Sequence, residues 1–124
     1  MNPSILVAVI LFITYIASFV EKLKDWDGTI AYYNDHFNKT IIQKYLRPSI
    51  ILVLILELLC ILILIAGIIY NLTIGDIRHL EAAFYLSFVI LTILLIGQRI
   101  AQDYQGSTSL IVYLILNITG ISLL

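Results

Sequence analysis

The chain holds one cysteine, Cys60, and two histidines, His36 and His79. A lone cysteine leaves no CxxC pair and no intrachain disulfide, which excludes electron transfer through cysteine pairs, and Cys60 reads as a small apolar core residue. The histidines fall in loops expected on opposite sides of a membrane, so one copy cannot bring both to a haem or a metal ion. No phosphate-cradling glycine motif occurs. Charge is equally scarce: 12% of residues are Asp, Glu, Lys or Arg, against about 25% in a soluble domain. The net charge of −1 gives no reason to expect a nucleic acid partner.

What the chain has instead is hydrocarbon. Hydrophobic residues make up 61% of its 124 positions, more apolar surface than a water-soluble fold of this size can hide. Four segments reach the roughly 17 to 25 apolar residues needed to span a bilayer: about 4–20, 48–69, 80–97 and 107–124. The first has no Lys or Arg ahead of its apolar stretch and no clear cleavage site, so it reads as a retained helix and not a secretory signal. The fourth runs to Leu124 without a polar tail, which leaves no room for a soluble domain. The expected fold is all-α, a single integral membrane four-helix bundle whose main partner is the lipid bilayer.

The first loop, "EKLKDWDGTIAYYNDHFNKTIIQKYLRP", is too long and too patterned for a plain connector. Ile30, Tyr33, Phe37 and Ile41 recur at helical spacing, Asp27 can cap a helix from Gly28, and Trp26, Tyr32, Tyr33 and Tyr45 suit the membrane interface. The spacing predicts an interfacial helix over about 28–41, either anchoring the bundle or capping a ligand cavity. Lys22, Lys24, Lys39, Lys44 and Arg47 in this loop and Arg99 near the third loop outnumber Arg78 opposite. The positive-inside rule then places loops 1 and 3 in the cytoplasm.

Polar residues within the spans form stripes at 100° per residue. Thr14, Ser18, Glu21 and Asp25 share one face of the first span, Glu81, Tyr85, Thr92, Arg99 and Asp103 one face of the third, and Gly106, Ser109, Tyr113, Asn117 and Gly120 one face of the fourth. Such faces are expected to turn toward other helices, making the bundle core its most polar part. Glu57, in "LILELLCIL", lies nine residues past Pro48, about 13 to 14 Å into an apolar layer about 30 Å thick. An unpaired carboxylate there is very costly, so it is protonated or has a partner. Arg99 enters from the same side and is the expected partner, with Asp103, its i,i+4 neighbour, sharing the guanidinium. The cluster either fixes helix register or forms a site for a polar headgroup, a proton or a partner protein.

Over nearly its whole length, the chain resembles the DoxX-like family of small four-helix bacterial membrane proteins. The resemblance rests on "EKLKDW", "GTIAYYNDHF", the glutamate of "LILELLCIL" and above all "GQRIAQDYQGSTSL". It implies Lys22, Glu57, Arg99 and Asp103 as the recurring polar positions, the bacterial cytoplasmic membrane as the location, and a loose association with quinone-linked oxidoreductases. The expected function is therefore an accessory or assembly subunit of a larger, redox-linked membrane complex. It has no covalent or metal-ligated cofactor and no catalysis of its own, and contributes one wall of a quinone or lipid site. The alternative is a small proton-coupled, homo-oligomeric transporter using Glu57. Small multidrug exporters, which are similar in size, carry that acid in their first helix; here the first span has none at midplane depth. A membrane enzyme built on Glu57, Arg99, Asp103 and Lys22 lacks a nucleophile-base pair or a metal shell.

Overall fold

The protein, seen here in a computed structural model, is described over residues 2–124. Five α-helices follow one another: α1 (Ser4–Lys24), α2 (Trp26–His36), α3 (Leu46–Ile74), α4 (Arg78–Ile100) and α5 (Tyr104–Leu123), with a 3₁₀ turn, Ile41–Tyr45, leading into α3. Four of them, α1, α3, α4 and α5, are long and apolar enough to cross a membrane. They form a membrane helical bundle. Each long helix packs on two others in the cyclic order α1, α3, α4, α5.

Lipid tails are as apolar as leucine, so these helices are held by close packing and hydrogen bonds and not by a drive to leave water. Leu11, Leu64, Leu80, Phe84 and Ile90 fill the centre, all nearly or completely buried. Gly67 lets α3 and α4 approach: a β-carbon there would lie 2.8 Å from the backbone nitrogen of Leu80. The polar inclusions are few. Tyr15 Oη lies 2.6 Å from Ser87 Oγ, and the amide of Asn117 donates to the same oxygen at 2.9 Å, tying α1, α4 and α5 together.

The core is thus mainly apolar with polar inserts, not the most polar part of the bundle. Of the three stripes, that of α5 turns inward through Asn117 and Gly120. The stripe of α4 does not: Glu81, Tyr85 and Arg99 are exposed, and the buried face is Leu80, Ala83, Phe84, Ser87, Ile90 and Leu91. Glu81 lies in the first turn of α4 and Arg99 in the last, where headgroups and water solvate charge, so nothing forces them inward.

The turns follow local chemistry. Gly75 closes α3 in the left-handed region (φ 73°), with its N–H on Asn71 O at 3.0 Å. Asp76 then accepts the backbone N–H and the guanidinium of Arg78, both at 2.9 Å. Those bonds, the guanidinium first, pull the Asp76 carboxyl from its ordinary value down to about 2. Asp25, not Asp27, caps α2, because its side chain reaches the N–H of Gly28 at 3.1 Å and the helix starts earlier, at Trp26. Tyr104 and Gly106 lie in the first turn of α5, which Asp103 caps through the Gly106 N–H at 2.8 Å.

Candidate functional site

The site starts from the length of α1. The apolar count ends near Val20, but the helix continues to Lys24, which puts Ser18 and Lys22 one turn apart on the same face. Glu57 faces them from α3, about 16 Å along that helix from Leu46. Lys22 Nζ donates to Glu57 Oε1 and to Ser18 Oγ, each at 2.8 Å, and Ser18 Oγ donates to the same carboxylate oxygen at 3.4 Å. Glu57 is 1% exposed, and its second oxygen, Oε2, is buried with no hydrogen-bond partner among the described residues. A paired charge at this depth is tolerable where an isolated one is not.

This corrects the expected pairing. Glu57 meets Lys22, which reaches inward from the loop-1 end of α1 on a long flexible stem. Arg99 is exposed at the end of α4, with its guanidinium carbon 4.6 Å from the centroid of the Tyr104 ring. Asp103 does not share that guanidinium. Its Oδ1 caps α5, while Oδ2 lies 3.7 Å from His36 Nε2. So the structure joins Lys22 and Glu57 and leaves Arg99 at the end of α4 and Asp103 at the start of α5.

Above the pair lies a cavity of about 400 Å³, which Glu57, Lys22 and Ser18 line together with Tyr33 of α2, Phe37 just beyond it, and apolar residues of α3 and α4 such as Ile50, Val53, Ile93 and Leu94. That volume is in the range of small-molecule sites. α2 forms its roof, resting Trp26, Ile30, Tyr33 and Phe37 on Leu46, Ile50 and Leu54. α2 thus packs on the bundle and covers a cavity at the same time. A second, polar recess of about 260 Å³ lies on the other side of Lys22 and is lined by Glu21, Asp25, Thr29 and Tyr32 as well as by the shared Ser18, Lys22 and Tyr33. Burial, together with the neighbouring Tyr32, Glu57 and Glu21, raises the Tyr33 hydroxyl above its ordinary value, so it stays a neutral donor.

The far end of the roof is fastened by a residue that the sequence reading set aside. His36, in the last turn of α2, places Nε2 2.7 Å from Gln98 Oε1, and its ring stacks on Tyr32 at 5.7 Å and meets Phe37 edge-on at 5.0 Å. Gln102 turns the chain between α4 and α5 with φ 59°, a strained value for a residue with a β-carbon, at a cost on the order of 1 kcal/mol. That turn sets Asp103 beside His36. Replacing His36 by Ala should release the roof and leave the bundle intact. Amide hydrogen exchange across residues 26–45 should speed up severalfold, with the four long helices unchanged. An unaltered exchange pattern would show that His36 fastens nothing.

Among the described residues, no group of three or more His, Cys, Asp and Glu side chains is placed to hold a metal ion. No family model matches the chain, and neither a curated protein nor a solved structure matches it.

Proposed function

We propose that this protein is a ligand-holding membrane module that serves a larger membrane complex, with the cavity under α2 receiving the head of a quinone or lipid. One observation carries the reading: an ion pair buried at membrane depth forms part of the wall of a cavity that is otherwise mostly apolar. A pair needed only to hold helices together has no reason to border an open cavity, whereas a few convergent polar groups in an apolar pocket are what orient a bound molecule. The partner complex is supported by α5, the least buried of the four spans, whose Ile111, Val112, Ile115 and Ile118 form an unshared apolar face. Membership of the DoxX-like family fits this reading, since Lys22 and Glu57, two of the positions that resemblance implies, meet in the cavity wall. The same reading puts the protein in a bacterial cytoplasmic membrane with the α2 side inward.

A proton-coupled, homo-oligomeric transporter is the second reading, and it rests on the unpartnered Oε2 of Glu57, an oxygen able to hold a proton. Mass analysis of the intact protein, extracted from its native membrane in mild detergent, separates the two. The proposal expects a stoichiometric protein partner and a retained lipophilic molecule. A homo-oligomer with neither would overturn it in favour of transport.

A further inference from the structure

Charge inside the cavity narrows what it can hold. Lys22 is the only Lys, Arg or His among the cavity-lining residues, and Glu57, 2.8 Å away, is the only acid. Whichever of the two holds the proton, the pair carries no net charge. The recess behind Lys22 adds Glu21 and Asp25, both negative, and no further cation. An anionic headgroup entering the cavity would therefore bring an uncompensated negative charge to membrane depth, beside the Glu57 carboxylate and with two more acids on the far side of Lys22.

Donors, by contrast, are in excess. An ammonium group has three N–H bonds, and Lys22 uses two of them, on Ser18 and Glu57. The third has no partner among the described residues. Tyr33, which stays protonated, adds a hydroxyl to the same wall. Ser49 and Gln98, both uncharged, are the other polar side chains of the wall, and the rest of the surface is mostly aliphatic and aromatic.

Resting on the ligand-holding reading above, we infer that the cavity selects an uncharged, lipid-soluble molecule whose head offers an acceptor oxygen, a carbonyl, to Lys22 and Tyr33, and that Glu57 is the specificity determinant that rejects anionic heads. Lys22 supplies the hydrogen bond. Glu57 cancels the charge that would otherwise attract phosphate. A ring carbonyl of a quinone and an ester carbonyl of a glyceride share this chemistry.

The test uses the full chain in nanodiscs with three probes: dioctanoylglycerol, dioctanoylphosphatidic acid and a decyl-substituted benzoquinone. The first two have the same tails and differ in charge. Binding is followed by retained mass and, for the quinone, by quenching of Trp26, the single tryptophan, which packs against the cluster of Leu46, Ile50 and Leu54 beside the cavity. The wild-type protein should prefer dioctanoylglycerol over the phosphatidic acid by roughly tenfold or more. Glu57→Gln keeps the side-chain shape, leaves Lys22 uncompensated and should reverse that order. Tighter binding of the benzoquinone than of the glycerol probe supports the inference and identifies a quinone site; the opposite order supports it and identifies a glyceride site.

Equal or tighter binding of phosphatidic acid by the wild-type protein overturns the inference while leaving the ligand-holding reading in place. So does a Glu57→Gln variant that folds and keeps the wild-type order. Binding of none of the three overturns both. The wild-type comparison needs no variant, so the inference can fail even if Glu57→Gln does not fold.

Discussion

Replacing Lys22 by Met with Glu57 left in place should destabilise the bundle by about 3 to 5 kcal/mol, the usual cost of stranding one member of a buried ion pair. The carboxylate would lose its only strong side-chain donor, leaving the weaker Ser18 contact at 3.4 Å. Removing both charges, Lys22→Met with Glu57→Leu, should restore most of the stability, because a well-packed apolar pair is often as stable as the ion pair it replaces. Reversible unfolding in bicelles of the two single variants and the double one forms a complete cycle. The expected result is a coupling of several kcal/mol; additive single effects would mean that the two side chains do not depend on each other. Arg99→Met is the control. Its guanidinium is exposed and lies over Tyr104, so a loss of about 1 kcal/mol or less is expected.

Gly67→Ala should cost about 1 to 3 kcal/mol although alanine is the better helix former. The added carbon would lie 2.8 Å from the backbone nitrogen of Leu80 and 3.1 Å from the carbonyl carbon of His79. Backbone atoms of a packed helix cannot swing aside, so α3 and α4 must separate and give up close contact along their length. With no hydrophobic drive between helices in lipid, that contact is much of what holds them. Gly67→Val should be worse again. Gly75→Ala has a different cost, because a β-carbon at Gly75 meets nothing within 4 Å and only its φ of 73° is strained. About 1 kcal/mol is expected there. The same bicelle unfolding assay ranks the three, and a Gly67→Ala protein as stable as the wild type would contradict the close approach.

How much of this was legible in the sequence differs from element to element. The long helices were, because a run of apolar residues long enough to cross a bilayer has few other fates. The interfacial helix was legible from the spacing of Ile30, Tyr33 and Phe37, which do pack together on Leu46, Ile50 and Leu54, although Ile41 falls in the 3₁₀ turn and is exposed. Glu57 was legible as a residue in need of a partner. The identity of that partner was missed for a physical reason. Counting apolar residues ends the first span near Val20, which makes Lys22 a loop residue, whereas backbone hydrogen bonding carries α1 on to Lys24. The Ser18 and Lys22 pair at i,i+4 was the available signal.

The misread stripe of α4 has a related cause. Helical spacing establishes that Glu81, Tyr85 and Arg99 share a side, but not whether that side turns inward. Near the ends of a span polar residues can face headgroups at little cost, so polarity alone points nowhere there. At the centre it does. Glu57 and Ser87, both well inside their helices, are buried, and Asn117, nearer the end of α5, is buried as well, where it bonds Ser87. The cavity and the His36 fastening were out of reach, since both depend on how α2 lies across α3 and α4.

The Lys22–Glu57 contact underlies both the site and the ligand it is inferred to select, and solid-state NMR in lipid bilayers measures it directly. Dephasing between a ¹⁵N-labelled lysine side chain and the ¹³C-labelled Glu57 carboxyl reports their separation. With Nζ 2.8 Å from Oε1, strong dephasing is expected, and it should vanish in Lys22→Met. A Glu57 carboxyl that shows no dephasing from lysine, or that is dephased instead in a matched sample with ¹⁵N-labelled arginine, would contradict the Lys22–Glu57 pairing.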